Sequence, residues 1–284
     1  MDETGGYATL LFQVDDGVAT VTLNRPERHN ALNSTMAAEL QRVWTRIDKD
    51  PDIVCAIVTG AGEKAFCTGM DVADIASRDA AEPGNESVAW DRLTPIQNHC
   101  WKPVIAAING MTAGGGLHFV VDSDLVLCTE TATFFDTHVK VGLVGGLEAV
   151  GLTRKIPLEA VLRLALLGGA ERMKAEEAYR LGMVGEVLAP DRLMPRARAL
   201  AQMIRQHSPT ALALTKKMIW ESLDSGLDAA LEKTWQTIRE HTAHPDLEEG
   251  AKAFVEKRKP QWAPYTGSFN GSGTASGAGT GTKK

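Results

Sequence analysis

The sequence has few aromatic residues and no long apolar run. Aromatic side chains make up 6% of the 284 residues, and no apolar stretch approaches the roughly 20 residues that a helix needs to cross a bilayer. The first residues, MDETGGYATLLF, also lack the basic segment and cleavage region of a secretory signal. These absences predict a cytoplasmic protein without a membrane partner.

Positive charge is outweighed by negative charge. The chain has 30 Lys and Arg against 36 Asp and Glu, which gives a formal net charge of −6, and like charges do not cluster in blocks. An acidic surface repels polyanions, so nucleic acid is not expected as a partner. A small ligand that carries phosphate would need a local basic pocket.

Cysteine is scarce, and its four occurrences follow no ligand or disulfide pattern. Cys55, Cys67, Cys100 and Cys128 are scattered without CxxC spacing, and most lie in or beside apolar runs. This distribution is typical of buried free thiols in a reducing compartment. We therefore expect neither a disulfide framework nor a metal site.

Hydrophobic residues make up 44% of the chain, enough for a sizeable core. Asp15-Asp16-Gly17 between two β-rich runs predicts a hairpin, and the segment after Asn33 has the periodicity of a helix that begins at a Ser/Thr cap. One face of that helix comprises Met36, Ala37, Leu40, Val43, Trp44 and Ile47. The predicted buried or short strands are IVCAIVTG, PVIAAING, DLVLCT and ATFF, and the polar stretch 77–92 is predicted to be a mobile loop.

From about residue 157 the pattern becomes helical, with a short strand at GEVL and a helix that begins at Ser208-Pro209. We divide the chain into a core over residues 7–205, a C-terminal helical region over 206–265, and a tail over 266–284. The tail is rich in Gly, Ser and Thr and is too poor in apolar residues to fold, so we expect it to be disordered.

Two glycine-containing turns are candidates for binding an oxyanion. The first is Gly114-Gly115-Gly116, which follows PVIAAING and opens a helix, where backbone N–H groups are unpaired and point outward. The second is Gly69-Met70-Asp71, after the run GEKAFC. If the two turns face each other, they supply two N–H donors to one developing oxyanion. The triple glycine by itself is equally compatible with a purely structural tight turn, and a turn such as Gly69-Met70-Asp71 by itself is more often structural.

Four segments together resemble the crotonase (enoyl-CoA hydratase/isomerase) superfamily, in order and at its usual spacing. They are NRPERHNAL (24–32), GEKAFCTGMD (62–71), PVIAAINGMTAGGG (103–116) and FVEKRKP (254–260). The resemblance covers residues 8–262. It implies an α/β fold whose core is a superhelix of ββα turns, with a C-terminal helical region that packs subunits into a homotrimer or a dimer of trimers.

The resemblance also implies a coenzyme A (CoA) thioester substrate and its binding residues. The thioester oxygen would be held by the N–H groups of Met70 and Gly115, and CoA enters as part of the substrate, without a separate cofactor or metal. The CoA contacts implied by position are Arg25, Lys64, Ala65, Phe66, Asp71, Lys257 and Lys259. For each lysine, a solvated surface role is the alternative.

The acid–base positions depart from those of an ordinary hydratase. Where hydratases of this superfamily carry two glutamates, this sequence has His118 and His138. Imidazoles exchange protons near neutral pH, and Asp122, Asp136 or Glu148 are candidates to orient them, whereas Asp124 is interpreted as structural. We predict that both rings face one cavity beside Met70 and Gly115, with His118 neutral and His138 more readily protonated.

Three hypotheses follow for function. The first is an enoyl-CoA hydratase-like lyase of fatty acid metabolism, in which His118, His138 and Glu148 act beside the oxyanion turns. The second is a hydrolase of a carbon–carbon bond in a β-diketone or a β-keto thioester, because both reactions stabilise an enolate. The third is a non-catalytic member that binds acyl-CoA.

Overall fold

The computed structural model describes residues 5–72 and 90–269. The predicted hairpin opens the fold: β1 (Leu10–Asp15) pairs antiparallel with β2 (Val18–Leu23), in a register that leaves a two-residue loop. Asp16 and Gly17 in that loop have φ angles of 47° and 74°. Positive φ at both positions is what a hairpin turn of this length requires, so the hairpin prediction is confirmed.

A six-stranded sheet forms the centre of the fold, in the order β1-β2-β3-β5-β7-β10. Its further strands are β3 (Cys55–Gly60), β5 (Val104–Ile108), β7 (Leu125–Thr129) and β10 (Glu186–Leu188). All of its strand pairs after the hairpin are parallel. β3 and β5 are buried along their whole length because both faces of the sheet are covered, which confirms the two predicted buried strands.

A second, four-stranded sheet has the order β4-β6-β8-β9. It comprises β4 (Ala65–Cys67), β6 (Met111–Ala113), β8 (Thr133–Phe135) and β9 (Met173–Lys174). The first three run parallel, so their carboxyl ends lie at one edge. The triple glycine was expected directly after the strand PVIAAING. In the structure it follows β6, because the chain leaves the central sheet at Asn109-Gly110 and enters the smaller one.

Helices cover both sheets. They are α1 (Ser34–Lys49), α2 (Leu117–Asp122), α3 (Leu147–Leu152), α4 (Leu158–Leu166), α5 (Ala175–Arg180), α6 (Pro190–Ile204), α7 (Pro209–Ser222), α8 (Leu227–His241) and α9 (Pro245–Glu256). The predicted apolar face of α1 is buried, but its cap is Asn33, whose side chain accepts from the Met36 amide. Ser208 caps α7 as predicted.

The cysteines and Asp124 have the structural roles expected of them. All four cysteines are buried and free. Asp124 accepts hydrogen bonds from the Val104 amide and the Trp220 indole, and its carboxylate lies 2.9 Å from Lys216 Nζ. Residues 77–89 of the predicted loop and 270–284 of the predicted tail lie outside the described residues, and the division at residue 206 stays a prediction. Within 5–72 and 90–269, no helix is long and apolar enough to span a membrane.

Candidate active site

The candidate site lies at the carboxyl edge of the small sheet, where three adjacent parallel strands end. The Met70 turn follows β4, the triple glycine follows β6, and the loop that carries Asp136 and His138 follows β8. Because carboxyl ends of parallel strands meet at the same edge, segments far apart in sequence are brought together. This shared edge explains why the predicted site residues cluster.

The two glycine-containing turns touch each other. Gly69 has a φ of 80°, and a Cβ atom there would lie 2.7 Å from the amide nitrogen of Gly115, so only glycine fits. The Cβ position of Gly115 is 3.8 Å from the Met70 nitrogen. Around the Met70 turn, the Leu32 amide donates to the Gly69 carbonyl and the Asp71 amide donates to the Leu32 carbonyl. Among the backbone hydrogen bonds of the described turns and loops, none has the Met70 or Gly115 amide as its donor. The two amides thus belong to adjacent turns, and their convergence on one oxyanion stays a prediction.

A pair of arginines braces the Met70 turn. Asp71 is buried, and its two carboxylate oxygens lie 3.0 Å from Arg25 Nη2 and 3.2 Å from Arg28 Nη2. Arg25 also donates to the Ala31 carbonyl at 2.6 Å. These charge-assisted bonds tie the turn to the segment after β2. Arg25 and Asp71 thus contact each other, and a contact of either with CoA stays a prediction.

His138 and Asp136 form a local dyad. Oδ1 of Asp136 accepts from the backbone N–H of His138 at 2.7 Å and lies 2.8 Å from its Nδ1. The hydrogen bond with Asp136 is the main reason that the pKa of His138 is raised. Burial opposes this effect, and the charges of Asp136 and Glu148 reinforce it. The ring carbon Cε1 is 3.6 Å from the Cβ position of Gly114, so the imidazole lies against the oxyanion turn.

Glu148 connects the two histidines. Its Oε1 lies 3.1 Å from His118 Nε2 and 3.8 Å from His138 Nε2. Burial raises the pKa of this carboxyl group, but the hydrogen bond with His118, with a contribution from His138, helps to outweigh burial and lower it. The lowered pKa of Glu148 favours its carboxylate form and the raised pKa of His138 favours its imidazolium form, which is the direction that a proton acceptor and a proton donor require.

His118 is engaged at both ring nitrogens. In addition to the contact with Glu148, its Nδ1 lies 3.2 Å from Nε2 of Gln97. Asp122, a candidate partner four residues away on α2, instead accepts from the Thr94 hydroxyl at 2.6 Å, and burial raises its pKa. The spacing on α2 suggested Asp122, whereas Glu148 and Gln97 contact His118 only through the tertiary fold. Gln97 follows an irregular segment and carries no motif that would have revealed it.

Comparison with known proteins identifies the family. A model of the family described as enoyl-CoA hydratase/isomerase matches residues 13–264. The chain belongs to this family. It is 38% identical over 257 residues to an (E)-benzylidenesuccinyl-CoA hydratase of Thauera aromatica, an alignment that covers 87% of this chain and 96% of that protein. It is 31% identical to a short-chain-enoyl-CoA hydratase of Clostridium acetobutylicum, over 88% and 95% of the two chains.

Solved structures of the family have the same fold as this chain. An enoyl-CoA hydratase/isomerase from Mycobacterium paratuberculosis superposes with a TM-score of 0.81 at 37% identity, over 90% of this chain and 99% of that one. An enoyl-CoA hydratase from Bacillus anthracis gives 0.82 at 30% identity, over 92% and 100%. These matches confirm the crotonase-like α/β fold. The chain is accordingly an acyl-CoA-processing enzyme of the enoyl-CoA hydratase type.

The family's implied CoA contacts occupy different environments here. Lys64, Lys257 and Lys259 are exposed, whereas Ala65 is buried. Phe66 is fully buried, with its ring 5.6 Å from that of Phe119 in an edge-to-face contact. A ligand could meet Phe66 only through its backbone, because the side chain is part of the core. All five contacts stay predictions.

A large cavity lies on the other side of α3. It has a volume of about 1060 Å³, and the residues that line it include Leu147 and Val150 of α3 and Ile219 and Trp220 of α7. Lys155 also borders it, and burial lowers the pKa of this amine to about 8. Asp122 borders this cavity as well, whereas Met70, Gly115, His118, His138 and Glu148 do not line it.

Proposed function

We propose that this enzyme is an enoyl-CoA hydratase-like lyase that adds water to an α,β-unsaturated CoA thioester. The observation that carries the proposal is the pairing of the Asp136–His138 dyad with Glu148, beside the adjacent amides of Met70 and Gly115. Hydration requires a base for water, an acid for the α-carbon and a site for the enolate oxygen. The cluster contains a candidate for each.

The amides of Met70 and Gly115 would hold the thioester carbonyl oxygen. As water adds to the β-carbon, negative charge moves onto this oxygen, and two preorganised N–H donors stabilise it more than they stabilise the neutral carbonyl. The geometry that supports this role is the contact between the two turns, with Gly69 packed against the Gly115 nitrogen. The CoA portion of the substrate supplies the thioester, and no separate cofactor is proposed.

The protons would move between water, Glu148, His138 and the substrate. Glu148 takes a proton from water as the oxygen bonds to the β-carbon, and the His138 imidazolium delivers its Nε2 proton to the α-carbon. Glu148 is then protonated and His138 neutral. Oε1 of Glu148 lies 3.8 Å from Nε2 of His138. When these two atoms move closer to hydrogen-bond distance, the proton on Glu148 passes to His138 and the resting state is restored. One water is consumed and no net proton is gained or lost.

His118 would act through Glu148. We expected both imidazoles to exchange protons with the substrate, but each ring nitrogen of His118 already has a protein partner. The side chain is also more deeply buried than that of His138, with 7% against 15% of its surface exposed. We therefore propose that His118 orients the Glu148 carboxylate and that His138 and Glu148 contact the reacting atoms.

A second candidate function is hydrolysis of a carbon–carbon bond in a β-diketone or a β-keto thioester. The Asp136–His138 dyad favours it, because an imidazole whose Nδ1 is held by a carboxylate is suited to activate water. His138 would take a proton from water as the water oxygen attacks one carbonyl carbon, and the bond from that carbon to the central carbon would break. The departing enolate would occupy the same oxyanion site and receive the proton from His138 at its carbon. His138 would then have to start neutral, which its raised pKa disfavours.

A substrate panel distinguishes these functions. The purified full-length chain is assayed with short-chain and aryl-bearing enoyl-CoAs, β-keto thioesters and cyclic β-diketones, and products are identified by mass spectrometry. A product heavier by one water that retains the carbon chain supports hydration. A ring-opened diketone or a split thioester supports hydrolysis, and tight acyl-CoA binding without turnover of any compound supports a non-catalytic member. Hydration that survives unchanged in His138→Ala would refute the proposed roles.

The proposal includes assembly into a homotrimer or a dimer of trimers. Its support is a stripe of exposed apolar side chains on α8, formed by Leu227, Leu231, Trp235 and Ile238. These positions recur at helical spacing on one face. An apolar stripe of this kind is typical of a subunit interface. In the proposed assembly this face of α8 packs against a neighbouring subunit.

A further inference from the structure

Gln97 has an unambiguous side-chain orientation. Its Oε1 accepts from the backbone amides of Leu93 at 2.8 Å and Thr94 at 3.2 Å. A backbone N–H can only donate, so the atom that faces both amides must be the oxygen. The other end of the side chain, Nε2, therefore points to Nδ1 of His118 at 3.2 Å.

This orientation dictates where His118 carries its proton. The amide nitrogen of Gln97 is a donor without acceptor capacity, so Nδ1 of His118 must accept. The proton of the neutral ring is then on Nε2, which donates to Oε1 of Glu148 at 3.1 Å. The other neutral tautomer would place two donors face to face at Gln97 and two acceptors face to face at Glu148. Both contacts would be repulsive.

We propose that Gln97 is a positioning residue that locks His118 in the Nε2–H tautomer and thereby holds the Glu148 carboxylate in place for proton transfer. The proposal rests on the proposed function, because fixing the tautomer of His118 matters for catalysis only if Glu148 transfers a proton. Gln97 does not contact the reacting atoms. It acts through two successive hydrogen bonds.

The segment that carries Gln97 is itself held in place. The indole of Trp44 on α1 donates to the Leu93 carbonyl at 2.9 Å, and the Thr94 hydroxyl donates to Asp122, the other carboxylate near His118. Asp122 is therefore occupied and does not compete with Gln97 for Nδ1. Among the described residues, Glu148 and His138 also contact this cluster, and the charges of Lys155 and Lys216 act on Asp122. The lock thus belongs to a continuous set of buried polar contacts.

The direct test is the tautomer of His118 in the wild-type protein. With ¹⁵N-labelled histidine, a long-range ¹H–¹⁵N spectrum distinguishes a bare Nδ1 from a protonated one, and the His118 signals are assigned by their loss in His118→Asn. We expect a protonated Nε2 and a bare Nδ1 at neutral pH. A protonated Nδ1 in the wild type would overturn the proposal, whatever any variant does.

The variant Gln97→Glu tests the consequence. A carboxylate can still accept from the Leu93 and Thr94 amides, but it cannot donate to His118, so Nδ1 must take up a proton. We expect the spectrum to change accordingly. We also expect kcat to fall about 10²-fold with KM little changed, the low end of the loss for disturbing an acid–base group. Gln13→Glu, the same change at an exposed site on β1, should leave the His118 spectrum, kcat and KM unchanged.

The outcomes separate this inference from the proposed function. If Gln97→Glu keeps full kcat and the wild-type tautomer, the lock does not exist. If Gln97→Glu fails to fold, Gln97→Met takes its place, since it removes the donor without adding charge, and the same spectrum and kinetics apply. If Gln97→Glu is active while Glu148→Gln is inactive, the inference is wrong and the role of Glu148 survives. Full activity of Glu148→Gln would instead refute the proposed function of that carboxylate.

Discussion

The substitution Gly116→Ala tests how closely the two oxyanion turns are packed. Gly116 has a φ of −66° and a ψ of −25°, which alanine adopts without strain. The obstacle is space: a Cβ atom at this position would lie 2.3 Å from the Cys67 carbonyl oxygen and 3.0 Å from the Cys67 carbonyl carbon. The added methyl group therefore meets backbone, which cannot rotate away.

The size of the effect follows from this distance. Ordinary C···O contacts are about 3.3 Å or longer, so the two segments must separate by about 1 Å. Overpacking of this kind costs about 1–3 kcal/mol, and 2 kcal/mol lowers Tm by roughly 4–8 °C in a domain of this size. Cys67 ends β4 only three residues before Met70. A shift there misplaces one oxyanion donor, and a misplacement of about 1 Å reduces kcat on the order of 10²-fold.

Differential scanning fluorimetry and the rate of acyl-CoA turnover measure the two effects. The matched control is Gly226→Ala, because a Cβ atom at Gly226 would have no heavy atom within 4 Å and its φ of −65° and ψ of 152° form an extended conformation that alanine adopts. The control should keep its Tm and most of its activity. A Gly116→Ala variant with wild-type Tm and wild-type kcat would refute the close packing of the two turns and the oxyanion role built on it.

Three further predictions concern the dyad and the assembly. His138→Ala should lower kcat by about 10²–10⁴, whereas His207→Ala, at an exposed site, should not; equal rates would exclude His138 as an acid. Because the folded-state pKa of His138 is raised above its usual 6.5, its pair with Asp136 stabilises the fold fully below that value and loses this effect as pH rises through the raised pKa. The difference in unfolding free energy between wild type and His138→Ala, measured in urea, should therefore shrink as the pH rises above 6.5, and a constant or growing difference contradicts the assignment. In sedimentation, the wild type should be a trimer or hexamer at micromolar concentration, and the Trp235→Glu variant should dissociate into monomers. Lys233→Glu, at an exposed site, is the control. A monomeric wild type would refute the assembly proposal.

Local features of the fold were predictable from sequence because local rules determine them. Asp16-Gly17 lies between two apolar runs, and a two-residue turn with positive φ fixes the hairpin register. The apolar face of α1 follows directly from helical periodicity. The cap of α1 was placed one residue too late, because Asn33, Ser34 and Thr35 all have side chains suited to capping. Only the backbone conformation selects among them.

The path of the chain between the two sheets was not predictable. PVIAAING reads as one strand leading into the triple glycine, yet residues 104–108 belong to the central sheet and 111–113 to the smaller one. Both segments are mostly apolar and mostly buried, so their patterns are alike. The difference lies in which strands they pair with, and pairing is a property of the whole sheet.

The sequence by itself determined the residues of the candidate site that are close along the chain. The two glycine turns are local motifs, and Asp136 lies two residues from His138, near enough for one loop to bring them together. Tertiary structure decided the remaining contacts. Glu148 reaches His118 across 30 residues and Gln97 reaches it across 21, because α2, α3 and the segment before β5 pack around one ring. Hydrogen-bond partners of a buried side chain depend on distance and angle in space, and no spacing along the chain encodes these.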